Sequence, residues 1–544
     1  PVLAFERALA EASSRLVAVD GHVVGSGSLL NDLAGKGYRF GATHCDQMNL
    51  LMAYDALGGS PLACRIVEGG LPGKASLADL VADVDRSLYD FVKSEEGYER
   101  YADGLTPEIV RAISAKKDEP AWMLDMRLEA LEVFHERKMA DNWGPDVSGL
   151  DMDHISTYVS PQTKQARDWD DVPKDIKDTF ERLGIPEAER ESLAGVGAQY
   201  DSEIVYHNMR EEVAKQGVVY TTIEDALQDP KWEAVVHEYF GRLIPMRDHK
   251  FAALHYAVWS GGSFVYVPAG VTLDYPLQSY FRLNASGAGQ FEHTLIIVEP
   301  GSDLHFIEGC SAPKYYEANL HAGAVELYVK DGARLRYSTI ENWSKNMFNL
   351  NTKRATIGAD SKMEWVSGSF GSHVSYLYPT TILAGDRSSC EFTGITFAGA
   401  TQDLDTGCKV ILNGADTTAS VDTKSISKDG GINTFRSSIV VGRQANRARV
   451  NVSCQSLMLD DISRSDTVPA MDVRNPTASV GHEATIGRIS DDTILYLMSR
   501  GCSESEARTM VVNGFANPVS KELPLEYAVE MNNLIKLEME GAIG

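Results

Sequence analysis

The stretch AVELYVKDGARLRYS, residues 324–338, decides how the middle of this chain is read. Val325, Leu327 and Val329 alternate ahead of Lys-Asp-Gly-Ala, and Leu335 and Tyr337 resume the alternation behind it. A period of two places such side chains on one face of an extended strand, and the Asp-Gly pair marks a turn between strands. Comparable turns recur in EPGSD (299–303), IGADS (357–361), AGDRS (384–388), NGADT (413–417) and VGRQA (441–445). With KDGAR (330–334), their glycines at 301, 332, 358, 385, 414 and 442 follow one another by 26 to 31 residues. Short strands at so even a step predict stacked coils, none of which buries its apolar face without its neighbours. The expected fold is α+β, with a right-handed β-helix (a β-solenoid) as its core. A β-sandwich is the rival arrangement, because two turns per period can also be drawn as hairpins.

Outward from that core the texture changes, and four segments are expected: 1–85, 86–212, 213–482 and 483–544. Residues 86–212 read as an N-terminal helical region. Thr106 and Pro107 open one helix, Asp118 and Pro120 repeat that opening, and Leu124, Leu128 and Leu131 form an apolar stripe. Residues 483–544 read as a C-terminal helical region. Ser490 precedes one helix and Gly501 closes it, while Ser503 and Glu506 have the spacing of a capping box. Ala528, Met531 and Ile535 then share one side of a last helix, expected either to cover the open end of the solenoid or to receive a partner. Residues 1–85 form an N-terminal extension without an assignment. Its EGGLPGK (68–74) falls short of a phosphate loop, with three residues between Gly69 and Gly73 and Ala75 after Lys74. His44, Cys45 and Cys64 are too few for a metal assignment there.

The 544 residues carry a formal net charge of −26. That balance disfavours nucleic acid and anionic membrane as partners. No run approaches the ~20 apolar residues of a membrane span. The first residues lack a secretory layout, so a cytoplasmic location is expected. Seven dispersed cysteines (45, 64, 310, 390, 408, 454, 502) suit a reducing compartment rather than a disulfide framework. No Walker loop, GxGxxG turn, GxSxG elbow or HExxH helix is present. An autonomous ATPase, dehydrogenase, serine hydrolase or zinc protease is therefore not expected. The residues left for chemistry are Cys310, Cys454 and the neighbours His482 and Glu483.

Several long motifs carry a resemblance: IEGCSAP (307–313), STIENWSKNMFNLNTKRA (338–355), SISKDGG (425–431), HEATIGRIS (482–490) and ELPLEYAVEMNNLIKLEMEGAIG (522–544). From about residue 95 to the end the chain resembles the SufB/SufD family, scaffold subunits of the SUF iron–sulfur cluster assembly complex. The pairing of Cys310 with Cys454 fits the SufB side of that family. The resemblance implies a non-enzymatic scaffold on which Cys310 accepts sulfur as a persulfide. The donor would be of SufE or SufU type, working with a cysteine desulfurase. Arg282, Asn284, Trp343 and Lys353 would line a sulfur path through the β-helix. Cys454, with Glu483 and His482, would build a transient iron–sulfur cluster, and the participation of a reduced flavin stays open. Implied partners are a SufC-type ATPase on the C-terminal helices and SufD or a second copy of the chain. Glu341 stands where the family's Gram-negative members have glutamine.

Physical chemistry adds two expectations. Arg282 and Lys353, if the solenoid turns them inward, lower the pKa of a nearby thiol and favour sulfur exchange. One thiolate with a carboxylate and an imidazole makes an incomplete, weak shell for iron, so a partner completes it and the cluster stays labile. The rival class of function is an enzyme, an acidic β-helix acting on polysaccharides. A purely structural solenoid is the third.

Overall fold

The computed structural model describes residues 95–540 apart from 96, 102–103, 140–143, 164, 184–192, 316 and 524, together with four strands earlier in the chain. Those four (Val17–Ser26, Gly35–Lys36, Asp46–Asp55 and Pro61–Glu68) pair as one antiparallel sheet. His44, Cys45 and the segment 69–74 lie outside the described residues.

The centre of the chain is a β-solenoid of about eight coils, as the turn spacing predicts. One wall consists of parallel strands Leu277–Arg282, Asp303–Ser311, Arg334–Asn342, Lys362–Phe370, Ser389–Ala398, Thr418–Ser427, Arg449–Met458 and Ser479–Arg488. The facing wall includes Gly262–Val267, His293–Val298, Ala324–Val329, Thr352–Ile357, Thr380–Leu383, Asp403–Leu412, Ile432–Val441 and Arg464–Val473. Equivalent residues of successive coils stack in columns. Leu304, Leu335, Met363, Cys390, Ala419 and Val450 form one, and Phe306, Tyr337, Trp365, Phe392, Val421 and Val452 the next. Both are buried and apolar, and they supply the interior core that no single coil could form. Tight stacking also explains one of the turn glycines. A Cβ on Gly414 would sit 2.1 Å from the Gly385 carbonyl oxygen of the coil before.

The two ends of the solenoid differ. At one end, Glu203–Met209 and Val219–Thr221 pair antiparallel to the first strands and close the edges. Helices Ile223–Gln228, Pro230–Tyr239 and Lys250–Val258 pack over that end. At the other, Arg464–Val473 and Ser479–Arg488 are each paired on one side only. Val468, Met471, Val473 and Ile486 are exposed there, at 40–49%. Strands of the solenoid walls thus begin at Gly195, ahead of residue 213, and continue to Arg488, beyond 482. Helices 223–258 stand inside the segment 213–482, expected from sequence to be the β-helix core.

The C-terminal helices Asp491–Ser499, Glu504–Ser520 and Leu525–Glu540 do not cover the open end. Val512, Ala516, Met531, Leu534 and Ile535 pack with Ile307, Ile340, Val366 and Ile395 on the outer flank of the first wall. Those outward isoleucines and valine make the flank apolar, so the helices follow it. The Ser503–Glu506 capping box forms in both directions. In the N-terminal region, Thr106 accepts the Ile109 N–H and opens helix Pro107–Lys116 as expected. Asp118 adopts φ 50° at the end of that helix instead of capping the next. Helix Ala121–Glu136 buries Met123, Arg127, Leu131 and Phe134, leaving Leu124 and Leu128 half-buried. Of the expected leucine stripe only Leu131 is fully buried, and the inner face also holds a buried ion pair, Arg127 with Glu119.

Candidate functional site

Beyond the two apolar columns, the interior of the first wall changes character. Glu308, Thr339, Ser367, Gly394, Thr423 and Cys454 form the third column. Cys310, Glu341, Ser369, Thr396, Ser425 and Ser456 form the fourth. Small or polar side chains cannot fill the space that Leu or Phe would occupy, and a narrow cavity remains. Its lining includes Glu341, Lys353, Ser369, Thr396, Thr423 and Cys454. Cys310 and Cys454 therefore face one polar lane from adjacent columns, five strand steps apart. At ~4.8 Å per step the separation is about 24 Å.

Cys310 is buried at the head of the lane. Its sulfur lies 4.0 Å from Glu308 Oε1, and the Lys353 ammonium donates to that same oxygen at 2.6 Å and to Thr339 Oγ1 at 3.1 Å. Tyr337 donates its hydroxyl to the other Glu308 oxygen. Glu341, beside Cys310 on the next strand, accepts from Asn349 at 2.8 Å and Ser369 at 3.2 Å. The Asn349 carbonyl oxygen meets His321 Nδ1 at 2.8 Å, and His321 Nε2 meets Glu292 at 2.5 Å. Burial first, then Glu308, Glu341 and Glu292, raise the Cys310 thiol well above the usual range, and Lys353 offsets only part of that. This corrects the expected lowering: Lys353 is committed to a carboxylate. Arg282 is fully buried but donates to Ser311 Oγ at 3.2 Å, on the strand face opposite Cys310. Asn284 follows that strand, with its N–H and that of Ala285 held by Asp201 Oδ1 at 2.6 and 2.9 Å. Trp343 packs in the same buried cluster as Cys310, its ring 4.8 Å from that of His321.

At the open end, Cys454 Sγ lies 3.6 Å from His482 Nε2 and 3.7 Å from Thr467 Oγ1. Burial raises this thiol, and the Thr467 hydrogen bond pulls it back. His482 is in register with Val452, and Glu483 with Ser453, so Glu483 leaves the strand on the face away from Cys454. Among the described residues no three His, Cys, Asp or Glu side chains stand together as a metal-binding group. Cys390 and Cys408 belong to the apolar core, where burial raises both thiols, Cys390 to about 12. Sequence reading missed Glu308, Glu292, His321 and Asn349. Glu308 was legible, since two residues before Cys310 means the same strand face. The other three reach the site from neighbouring coils and leave no local signal.

A family model described as SUF system FeS cluster assembly, SufBD core domain, matches residues 281–515. The chain is 47% identical over 468 residues to the iron–sulfur cluster assembly protein SufB of Bacillus subtilis. It is equally similar to an iron–sulfur cluster assembly SufBD family protein of Staphylococcus aureus. Each alignment covers 86% of this chain and the whole of the relative.

Proposed function

The chain belongs to the SufBD family of the SUF iron–sulfur cluster assembly system, and from that premise we propose that it is the scaffold on which sulfur becomes a transient cluster. Cys310 receives sulfur as a persulfide from a SufE- or SufU-type donor loaded by a cysteine desulfurase. The sulfur passes along the polar lane by Lys353 to Cys454, with Arg282, Asn284 and Trp343 shaping the wall at its head. Cys454 and His482 bind the nascent cluster, and Glu483 joins when a second chain stacks on the open end. The observation that carries this reading is the pair of adjacent polar columns that hold the two cysteines, with a cavity between Glu341 and Lys353, next to Cys310, and Cys454 at the far end.

The reading needs no phosphate loop in this chain. Turning persulfide sulfur into cluster sulfide takes two electrons per sulfur, and a reduced flavin in the complex is the reductant class that would supply them. A SufC-type ATPase supplies nucleotide chemistry, docking at the C-terminal helices where Leu495, Tyr496 and Met498 are exposed. SufD or a second copy of the chain pairs with the unmatched strands 464–473 and 479–488, an edge that invites strand addition. Few soft ligands make the bound cluster labile and ready for transfer to apo-proteins. Among the described residues no helix is long and apolar enough to cross a membrane. A cytoplasmic site of action accords with the free thiols. Family membership does not favour the alternative of a polysaccharide-active β-helix.

Anaerobic reconstitution with iron and a sulfur donor, in the presence of the partner subunits, tests the proposal. Sulfur-to-iron charge-transfer absorption is expected for the native chain and not for Cys454→Ala. Equal absorption from both would overturn it.

A further inference from the structure

Every charged group facing the Cys310 sulfur has a partner that constrains it. Glu308, on the same strand, holds Lys353 from the opposite wall and accepts from Tyr337 of the next coil. Glu341 is tied to Asn349 and Ser369, and Glu292 to His321. Arg282 engages Ser311 on the far face of the strands. The cation best placed to stabilise a thiolate is thus bound to the carboxylate closest to the sulfur.

We propose that Glu308 is the positioning residue that keeps resting Cys310 protonated: it occupies the Lys353 ammonium and sets its own negative charge 4.0 Å from the sulfur. This deepens the reading of Cys310 as sulfur acceptor and rests on it. The raised Cys310 thiol accords with the geometry. A protonated thiol is a poor nucleophile and a poor target for oxidants, so the unloaded site is inert.

Uptake then depends on ionisation. Cys310 gives up its proton, and the thiolate attacks the outer sulfur of a donor persulfide, R–S–SH. The Cys310 S–S bond forms as the donor S–S bond breaks. R–S⁻ leaves and takes up the released proton, so no external oxidant or reductant is needed.

The test uses the full chain with its partner subunits, iodoacetamide as the thiol probe and inorganic polysulfide as the sulfur source. Mass spectrometry of the Cys310 peptide gives alkylation rates across pH. Glu308→Gln is expected to move the midpoint of that profile down by about one pH unit or more, which is about tenfold faster reaction at pH 7. Persulfide formation on Cys310 should accelerate in step. The double variant Glu308→Gln/Lys353→Met removes both partners of the ion pair together and should fall between native and single variant. An unchanged or raised midpoint, or slower uptake as for loss of a general base, overturns the proposal. The acceptor reading fails separately, if Cys310→Ala accumulates sulfur at the native rate.

Discussion

Cys454 and His482 lie 28 residues apart in the chain, yet His482 Nε2 stands 3.6 Å from the Cys454 sulfur. They are inner-face residues of the last two strands of one wall, where a single parallel step brings them together. An imidazole and a thiol so placed at an open end form two sides of a site whose remaining sides face outward. Cys454→Ser is expected to abolish cluster formation in anaerobic reconstitution. His482→Ala should still assemble cluster but lose it faster to a chelator. Indistinguishable loss rates for native and His482→Ala protein would remove the imidazole from the site.

The polar lane makes a second prediction. Ser367 stands in the third column between Thr339 and Gly394 and lines the cavity. Ser367→Leu puts an apolar side chain into that space without touching either cysteine. Polysulfide should then load Cys310 as in the native chain, while cluster formation at Cys454 declines severalfold. Undiminished cluster yield with the lane plugged would mean that sulfur travels by another route.

The open end makes a third. Met471 is 41% exposed on strand 464–473, which has no neighbour on its outer edge. Met471→Asp places a charge in that edge and should weaken pairing with SufD or a second copy. Light scattering on the purified assembly would then report a smaller mass. An assembly of native mass would place the contact elsewhere.

A fourth concerns pH. Burial pushes Asp201 up to about 7, against the pull of the Asn284 and Ala285 N–H donors. A carboxyl raised on folding binds its proton more tightly in the native state. Its contribution to stability is therefore present at low pH and is lost as pH rises from the ordinary carboxylate range through about 7. Asn at this position keeps an acceptor oxygen but does not titrate. Thermal unfolding of Asp201→Asn should lose less stability than the native chain between about pH 5 and about pH 8. Parallel slopes would show that Asp201 does not titrate in that window.

A fifth concerns the N-terminal helices. Arg127 donates to Glu119 at 2.5 and 2.8 Å and to the Ala257 and Trp259 carbonyls, with both side chains of the ion pair fully buried. Glu119→Ala leaves a buried guanidinium without its carboxylate, and a loss of about 3–5 kcal/mol is expected. Denaturant unfolding measures it, and a loss below about 1 kcal/mol would contradict the burial of the pair.

The sequence by itself determined the coil repeat, because turn residues and strand alternation are local properties that survive in one dimension. It also marked Cys310, inside a motif long enough to carry a family resemblance, and Cys454, 28 residues ahead of another. Tertiary structure alone decided which groups touch those sulfurs. Coiling joins residues 29 positions apart, as His321 and Glu292, or 45 apart across the two walls, as Lys353 and Glu308, so neither coupling has a trace in local pattern. The charge state at Cys310 follows from that coupling rather than from the mere nearness of a lysine. The same reason separates the two ends of the solenoid: antiparallel strands close one, and the other is left with unpaired edges. Edge pairing is a relation between distant segments, and folding is what brings them into register.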